Sequence, residues 1–264
     1  MAVFTGVKKL RDVQSEKDVR NVPLKYVGID NLRWPLQLKD KKRGVQNTVA
    51  KVRLAVDLPQ DLRGTHMSRF VECLQELEYL ELGQEERVLD LLKEHLQARS
   101  AMMRLEFPYF IQKSAPVTGK VAPMDIDCVY TAEKGEQFSL KVRVEIPIQT
   151  LCPCSKEISD RGAHNQRAIA RIEILASEMV WLEELAEMAD KAASAPVYSL
   201  LKRPDEKFVT EHAYDNPRFV EDAVRELALL LDEDRRIKSY RVQVKSIESI
   251  HNHNAFAVVE KDWQ

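Results

Sequence analysis

Hydrophobic and polar residues alternate along residues 141–149: Val142, Val144, Ile146 and Ile148 share one parity, and Lys141, Arg143, Glu145 and Gln149 share the other. A period of two marks a half-buried strand, because successive side chains point to opposite faces of a sheet. The same alternation runs through 48–56, and two more strand-like runs cover 102–112 and 120–131, with Thr118 and Gly119 at the turn between them. Between these strands the period changes. Met67, Phe70, Val71, Leu74 and Leu77 recur at helical spacing within 64–82, and a second helix is predicted over 84–97. With a leader strand over 24–38, the first half reads ββααββ. From Gln137 the pattern starts again, with a strand ending at Gln149, a strand over 167–174 and a helix over about 178–192 that carries Leu182, Leu185, Ala186 and Ala189. A further helix opens at Asn216-Pro217, Asn as cap and Pro at the first helical position, with Val220, Ala223, Val224, Leu227 and Leu231 on its apolar face. Strands over 240–250 and 255–259 close the half. No residue-level identity links the halves, but the repeated order implies an α+β chain made by tandem duplication of a two-layer unit, 1–133 with the leader and 134–264.

Length alone leaves one large domain or two modules open, since 264 residues exceed a typical domain of ~150. The repeat decides for two. With 44% hydrophobic and 31% charged residues the chain can bury an ordinary core, which excludes the disordered and membrane-spanning classes. Charges run through Met1 to Arg20 with no apolar h-region, and no segment approaches ~18 consecutive apolar residues, so the cytoplasm is the expected location and no membrane is an expected partner. Lys and Arg number 40 against 42 Asp and Glu, a net charge of -2, which offers no footprint for nucleic acid. The basic run Lys39 to Arg43 reads as a solvated loop. Four cysteines make no disulfide framework in a reducing compartment at this size. Cys73 lies on a helical apolar stripe and Cys128 in a strand-like run, so both are expected in the core; Cys152 and Cys154 are left for chemistry.

Those two, with His164, fall in one loop at the end of the 141–149 strand, where backbone pairing stops and side chains can converge. Thiolate and imidazole together suggest a metal, and a catalytic site takes three protein ligands plus water where a structural zinc takes four. Cys152 also continues the inward parity of Ile148, so a buried core thiol is the plain alternative. His251 and His253, two apart, would present both imidazoles on one face of an extended chain roughly 7 Å apart; the alternative is a polar hairpin tip, given Asn252 and Asn254. Within Arg203 to Lys207, read as a connection between helices, Glu206 offers a third ligand, with Glu211 as a rival; either is otherwise an exposed carboxylate. Glu221 lies one turn into the last helix, where an ion pair with Arg225 is the plain account. Gly64 to Phe70 opens a helix with the hydroxyls of Thr65 and Ser68, free amides, and Arg63 and Arg69 close by. That is either a triphosphate cradle or a capped helix start.

In order and spacing, Ile148 to Ser159 with its Cys-Pro-Cys, Gly162-Ala-His-Asn-Gln-Arg167, Gly64-Thr-His-Met-Ser-Arg-Phe70 and Ser249-Ile-His-Asn-His-Asn254 closely resemble the type IB GTP cyclohydrolases, a likeness that spans about Val22 to the C-terminus. The resemblance implies two tunnelling-fold (T-fold) units of ββααββ order, an antiparallel sheet with two helices on one face in each, assembled as homotetramers with active sites between units. It places one divalent ion on Cys152, His164 and Glu206 with a water in the fourth position, and it needs no nucleotide cofactor. Zn, Mn or Fe(II) suits such a mixed set. Glu221 would anchor guanine, His251 and His253 would handle protons, since imidazole titrates near physiological pH, and Gly64, Thr65, His66, Ser68 and Arg69 would bind substrate. Cys154 belongs to the motif with its role open. The implied reaction is hydrolysis of GTP at C8 of guanine, releasing formate and giving 7,8-dihydroneopterin triphosphate, the first step of tetrahydrofolate synthesis. Two rivals stand beside it. A T-fold nitrile reductase would use Cys152 or Cys154 as a nucleophile, against which stand His164 and the absence of a Gly-rich dinucleotide loop. A non-catalytic purine or pterin binder, or a zinc-stabilised scaffold, would need no turnover.

Overall fold

A computed structural model describes residues 12–77, 79–80 and 84–263. It is an α+β chain. The elements are β1 (Leu24–Asp40), β2 (Gly44–Leu58), α1 (Met67–Leu74), the short β3 (Tyr79–Leu80), α2 (Gln84–Leu96), β4 (Ala101–Ser114), β5 (Val121–Lys134) and β6 (Phe138–Leu151). There follow α3 (Pro153–Ile158), β7 (Asn165–Ala176), α4 (Leu182–Ala192), the short β8 (Ala195–Pro196), α5 (Arg203–Asp215), α6 (Val220–Glu233), β9 (Ile237–Ser246) and β10 (Ala255–Lys261). No helix among the described residues is long and apolar enough to cross a membrane.

Two compact units share the chain. One takes the described part of Met1–Trp34 with Lys51–Arg104 and Ala132–Ser139; the other takes Pro35–Ala50, Leu105–Thr131 and Leu140–Gln264. The long strands β1, β2, β4, β5 and β6 each give residues to both, so the units are not successive stretches of chain.

The first unit buries Phe70, Cys73 and Leu74 of α1 and Val88, Leu89 and Leu92 of α2, and the two helices pack on each other. Gly28 of β1 is required by close approach: a Cβ there would lie 1.9 Å from the Leu54 carbonyl oxygen of β2, a backbone atom that cannot step aside.

In the second unit the strands, or the parts of them that belong to it, lie in the order β10-β9-β7-β6-β5-β4-β2-β1, with β8 against β6. β6, β7, β9 and β10 pair antiparallel. The alternation seen in the sequence is realised: Val144, Ile146 and Ile148 of β6, Ala168, Ala170, Ile172 and Ile174 of β7, and Val242 and Val244 of β9 are buried. Over them lie α4 and α6, packed on each other, with α6 also on β9 and β10. Each buried Val or Ile contributes about 1.5–3 kcal/mol, against about 0–1 for an exposed ion pair, so the apolar parity fixes the register and a one-residue slip would turn the whole set to the other face. The β4–β5 turn is made at Gly119, whose φ of 64 suits glycine.

Three expectations need correction. The stretch from Arg203, read as a connection between helices, is the helix α5, with Pro204 in its first turn and Asp205 capping the Lys202 amide at 2.9 Å. Asn216 does not open the next helix; it ends α5, and its side-chain amide donates to the carbonyls of Ala193 and Ser194 at 3.0 and 3.2 Å. The cysteine loop is not irregular but carries α3. In each case a polar side chain satisfies backbone groups distant in sequence or within a short turn, which periodicity does not register.

Candidate active site

At one end of β6 and β7 the face that carries the core turns polar. The register sets Ile148 opposite Ala168 and Thr150 opposite Gln166. One step further in the same parity, the Cys152 amide donates to the His164 carbonyl at 3.1 Å. Thr150, Cys152, His164 and Gln166 therefore share the helix side of the sheet, and there a cavity of about 230 Å³ opens. The start of α6 (Arg218, Phe219, Glu221) and the β9–β10 connection (Glu248, His251, His253) complete its walls.

Local structure holds the cysteine loop. Cys152 is the N-cap of α3, its Sγ accepting from the Ser155 amide at 3.4 Å, with Pro153 at the first helical position. Ser155 Oγ donates to the Cys152 carbonyl at 3.1 Å and accepts from the His164 amide at 3.2 Å, so one serine ties both candidate ligands together. Cys154 is exposed and off the cavity wall. Cys73 and Cys128 are buried as expected, and burial raises both thiols above their ordinary range, which suits inert core residues.

His164 Nδ1 lies 2.9 Å from Gln166 Oε1. Its ring meets that of His251 edge-on, centroids 6.3 Å apart, and His251 stacks on His253 at 5.1 Å. The pair is closer than an extended strand would set it, because β9 ends at Ser246 and both histidines lie in the connection that follows.

Glu221 stands in the first turn of α6, exposed, with no hydrogen bond or ion pair to the described residues. The expected partner Arg225 is 3.9 Å from Asp222 instead. An unpaired carboxylate at a cavity mouth, next to a helix N-terminus, is free to accept hydrogen bonds from a ligand.

Glu206 is not brought to this wall. It lies exposed in the first turn of α5, while Asp205, ~100° away around the helix axis, is the buried member of the pair and accepts from the Val117 and Thr118 amides at 2.9 and 2.8 Å and the Thr118 hydroxyl at 2.7 Å. Glu211 is paired with Lys207 at 2.5 Å. Among the described residues no three His, Cys, Asp or Glu side chains are gathered closely enough to hold an ion. Cys152 and His164 do fit one: a thiol and an imidazole on one wall, the imidazole with Nδ1 engaged and Nε2 without a hydrogen bond to the described residues.

The Gly64 motif belongs to the first unit. There α1 begins at Met67 with His66 as its uncapped N-cap. The Gly64 amide donates to the Gln14 carbonyl at 3.1 Å, His66 Nε2 is 3.4 Å from Asp12, and Arg69 donates to the His95 carbonyl at 2.6 Å. Thr65 is buried and Ser68 exposed.

Thr150, Gln166, Arg218, Phe219 and Glu248 line the cavity without having been singled out in the sequence. Parity signals the first two, which continue the inward positions of β6 and β7; nothing periodic marks the others, which lie in connections.

A family model described as type I GTP cyclohydrolase folE2 matches residues 10–257. The chain belongs to this family. Among FolE2 relatives, the protein of Thermotoga maritima named GTP cyclohydrolase FolE2 is 56% identical over 252 residues, covering 96% of this chain and 97% of its own length. Those of Caldicellulosiruptor saccharolyticus and Dictyoglomus thermophilum, of the same name, are 55% and 51% identical, covering 94% and 96% of this chain and 97% and 99% of their own. Solved structures similar to this FolE2 chain include uricase from Arthrobacter globiformis (TM-score 0.52, 7% identity, 91% of this chain and 94% of that one). Urate oxidase from Bacillus subtilis 168 is similar too (TM-score 0.52, 10% identity, 89% and 98%). At such identities the likeness shows the fold alone, the tunnelling fold.

Proposed function

We propose that this chain is a type IB GTP cyclohydrolase, a hydrolase acting on the cyclic amidine C–N bond of guanine, and that it gives formate and 7,8-dihydroneopterin triphosphate in the first step of tetrahydrofolate synthesis. The observation that carries the reading is the gathering of Cys152, His164, Glu221, His251 and His253 on one cavity in a FolE2 chain.

Glu221 offers two acceptor oxygens to the adjacent N–H donors of guanine, N1–H and the exocyclic amine. Adenine has no proton on N1, so the same carboxylate selects against it. His251 and His253, stacked on each other and lining the cavity, would hold and move protons at the imidazole nitrogen and the ribose oxygen of the substrate. One water opens the ring at C8 and a second releases that carbon as formate; ribose rearrangement and ring closure then expel water. Cys152 and His164 would hold a divalent ion, Zn, Mn or Fe(II); Glu206, which lies off this wall, is the third donor that the family resemblance implies. When bound, such an ion supplies activation of water near neutral pH. Gly64, Thr65, His66, Ser68 and Arg69 are assigned to the triphosphate. Tandem duplication of the ββααββ unit, a homotetramer with active sites between units, and a cytoplasmic location complete the proposal.

The test is to incubate metal-loaded protein with GTP and follow formate together with pterin fluorescence after oxidation. Both should appear, and both should vanish in Cys152→Ala or after chelation. Full activity in either case would remove the metal-water mechanism, and chelation-resistant thioimide chemistry would favour the nitrile reductase alternative.

A further inference from the structure

We infer that Gln166, itself held by Thr150, is a positioning residue that fixes His164 in one tautomer and aims its Nε2 lone pair into the cavity. The inference rests on the metal-site reading above and deepens it. Gln166 Nε2 donates to Thr150 Oγ1 at 3.1 Å, and its Oε1 lies 2.9 Å from His164 Nδ1. An amide that spends its N–H on threonine presents its carbonyl oxygen to the imidazole, and an oxygen can only accept. In this orientation of the amide Nδ1 carries the proton, and Nε2 is left as the lone pair that binds a cation.

The relay is rigid for reasons of sequence and register. Thr150 and Gln166 are cross-strand partners of β6 and β7, and Thr150 is 1% exposed, so its β-branched side chain has little rotamer freedom. The His164 backbone is fixed as well, its carbonyl by the Cys152 amide and its amide by Ser155 Oγ. Ligating histidines depend on such outer partners for orientation and basicity, typically by ~10–100-fold in metal affinity.

The test uses the full chain labelled with 15N-histidine. In the metal-free protein, the ring nitrogens of His164, assigned by the signal lost in His164→Gln, should show a single tautomer protonated at Nδ1. Gln166→Leu should mix the tautomers and weaken Zn2+ binding, measured by competition with a chromophoric chelator, by ~10–100-fold. Gln166→Glu, which keeps an acceptor for Nδ1–H and can accept a hydrogen bond from the Thr150 hydroxyl, should restore the single tautomer and most of the affinity. Thr150→Val should give a milder form of the leucine phenotype, which covers the case of a leucine variant that fails to fold. Protonation at Nε2 in the wild type, or wild-type Zn2+ affinity in both Gln166→Leu and Thr150→Val, would overturn the inference. Failure of the metal-loaded protein to consume GTP, with the tautomer and Zn2+ results as expected, would instead count against the proposed activity and leave the relay standing.

Discussion

At Glu221 the chemistry reduces to one exposed carboxylate that neighbouring residues leave unpaired, since Arg225 turns to Asp222. Charge-assisted hydrogen bonds are each worth about 1.5–3 kcal/mol. Glu221→Gln should therefore weaken GTP binding by ~10–100-fold without lowering Tm, as read by steady-state kinetics beside a thermal melt. An unchanged KM would remove Glu221 from the substrate. The two candidate third ligands separate in the same way. Glu206→Gln should weaken Zn2+ or Mn2+ retention on dialysis, whereas Glu211→Gln should cost only the exposed ion pair with Lys207, about 0–1 kcal/mol; the reverse order would exchange their roles.

Among the elements, α5 is set by a single buried carboxylate. Burial pushes the Asp205 carboxyl up, but the amides of Thr118, Lys202 and Val117 and the Thr118 hydroxyl pull it further down, to well below the usual carboxylate range. A lowered folded-state value means that the stabilisation is complete above the unfolded value of ~4 and is lost as pH falls through the folded one. The Tm gap between wild type and Asp205→Asn should accordingly be widest near neutral pH and shrink below about pH 4. A gap independent of pH would mean that the charge is not what holds the β4–β5 turn to α5. In β1 a different constraint rules. Gly28→Ala drives a methyl into the Leu54 carbonyl and should destabilise by about 1–3 kcal/mol or more, measured by denaturant unfolding.

For the whole molecule, the apolar faces of the strands and helices carry stability and the cavity carries chemistry, so the two should come apart. Chelation is expected to abolish formate release while far-UV circular dichroism stays unchanged, and added Zn2+ or Mn2+ should restore turnover; unfolding on metal removal would favour the scaffold alternative. Light scattering should find four chains per particle. The sequence by itself determined the strands of period two, most of the helices, the buried Cys73 and Cys128, and the family, because burial on one face imposes a local period and motif order is linear. It also marked Cys152, His164, Glu221, His251 and His253, which the cavity brings together. Only the tertiary structure decided that Arg203 to Asp215 is a helix, that Asn216 ends it, that Asp205 rather than Glu206 points inward, and that Thr150 and Gln166 stand behind His164. Those outcomes depend on hydrogen bonds between residues far apart along the chain or across a strand pair, whose free energy is settled by which backbone groups the fold leaves unsatisfied, and no local period records that.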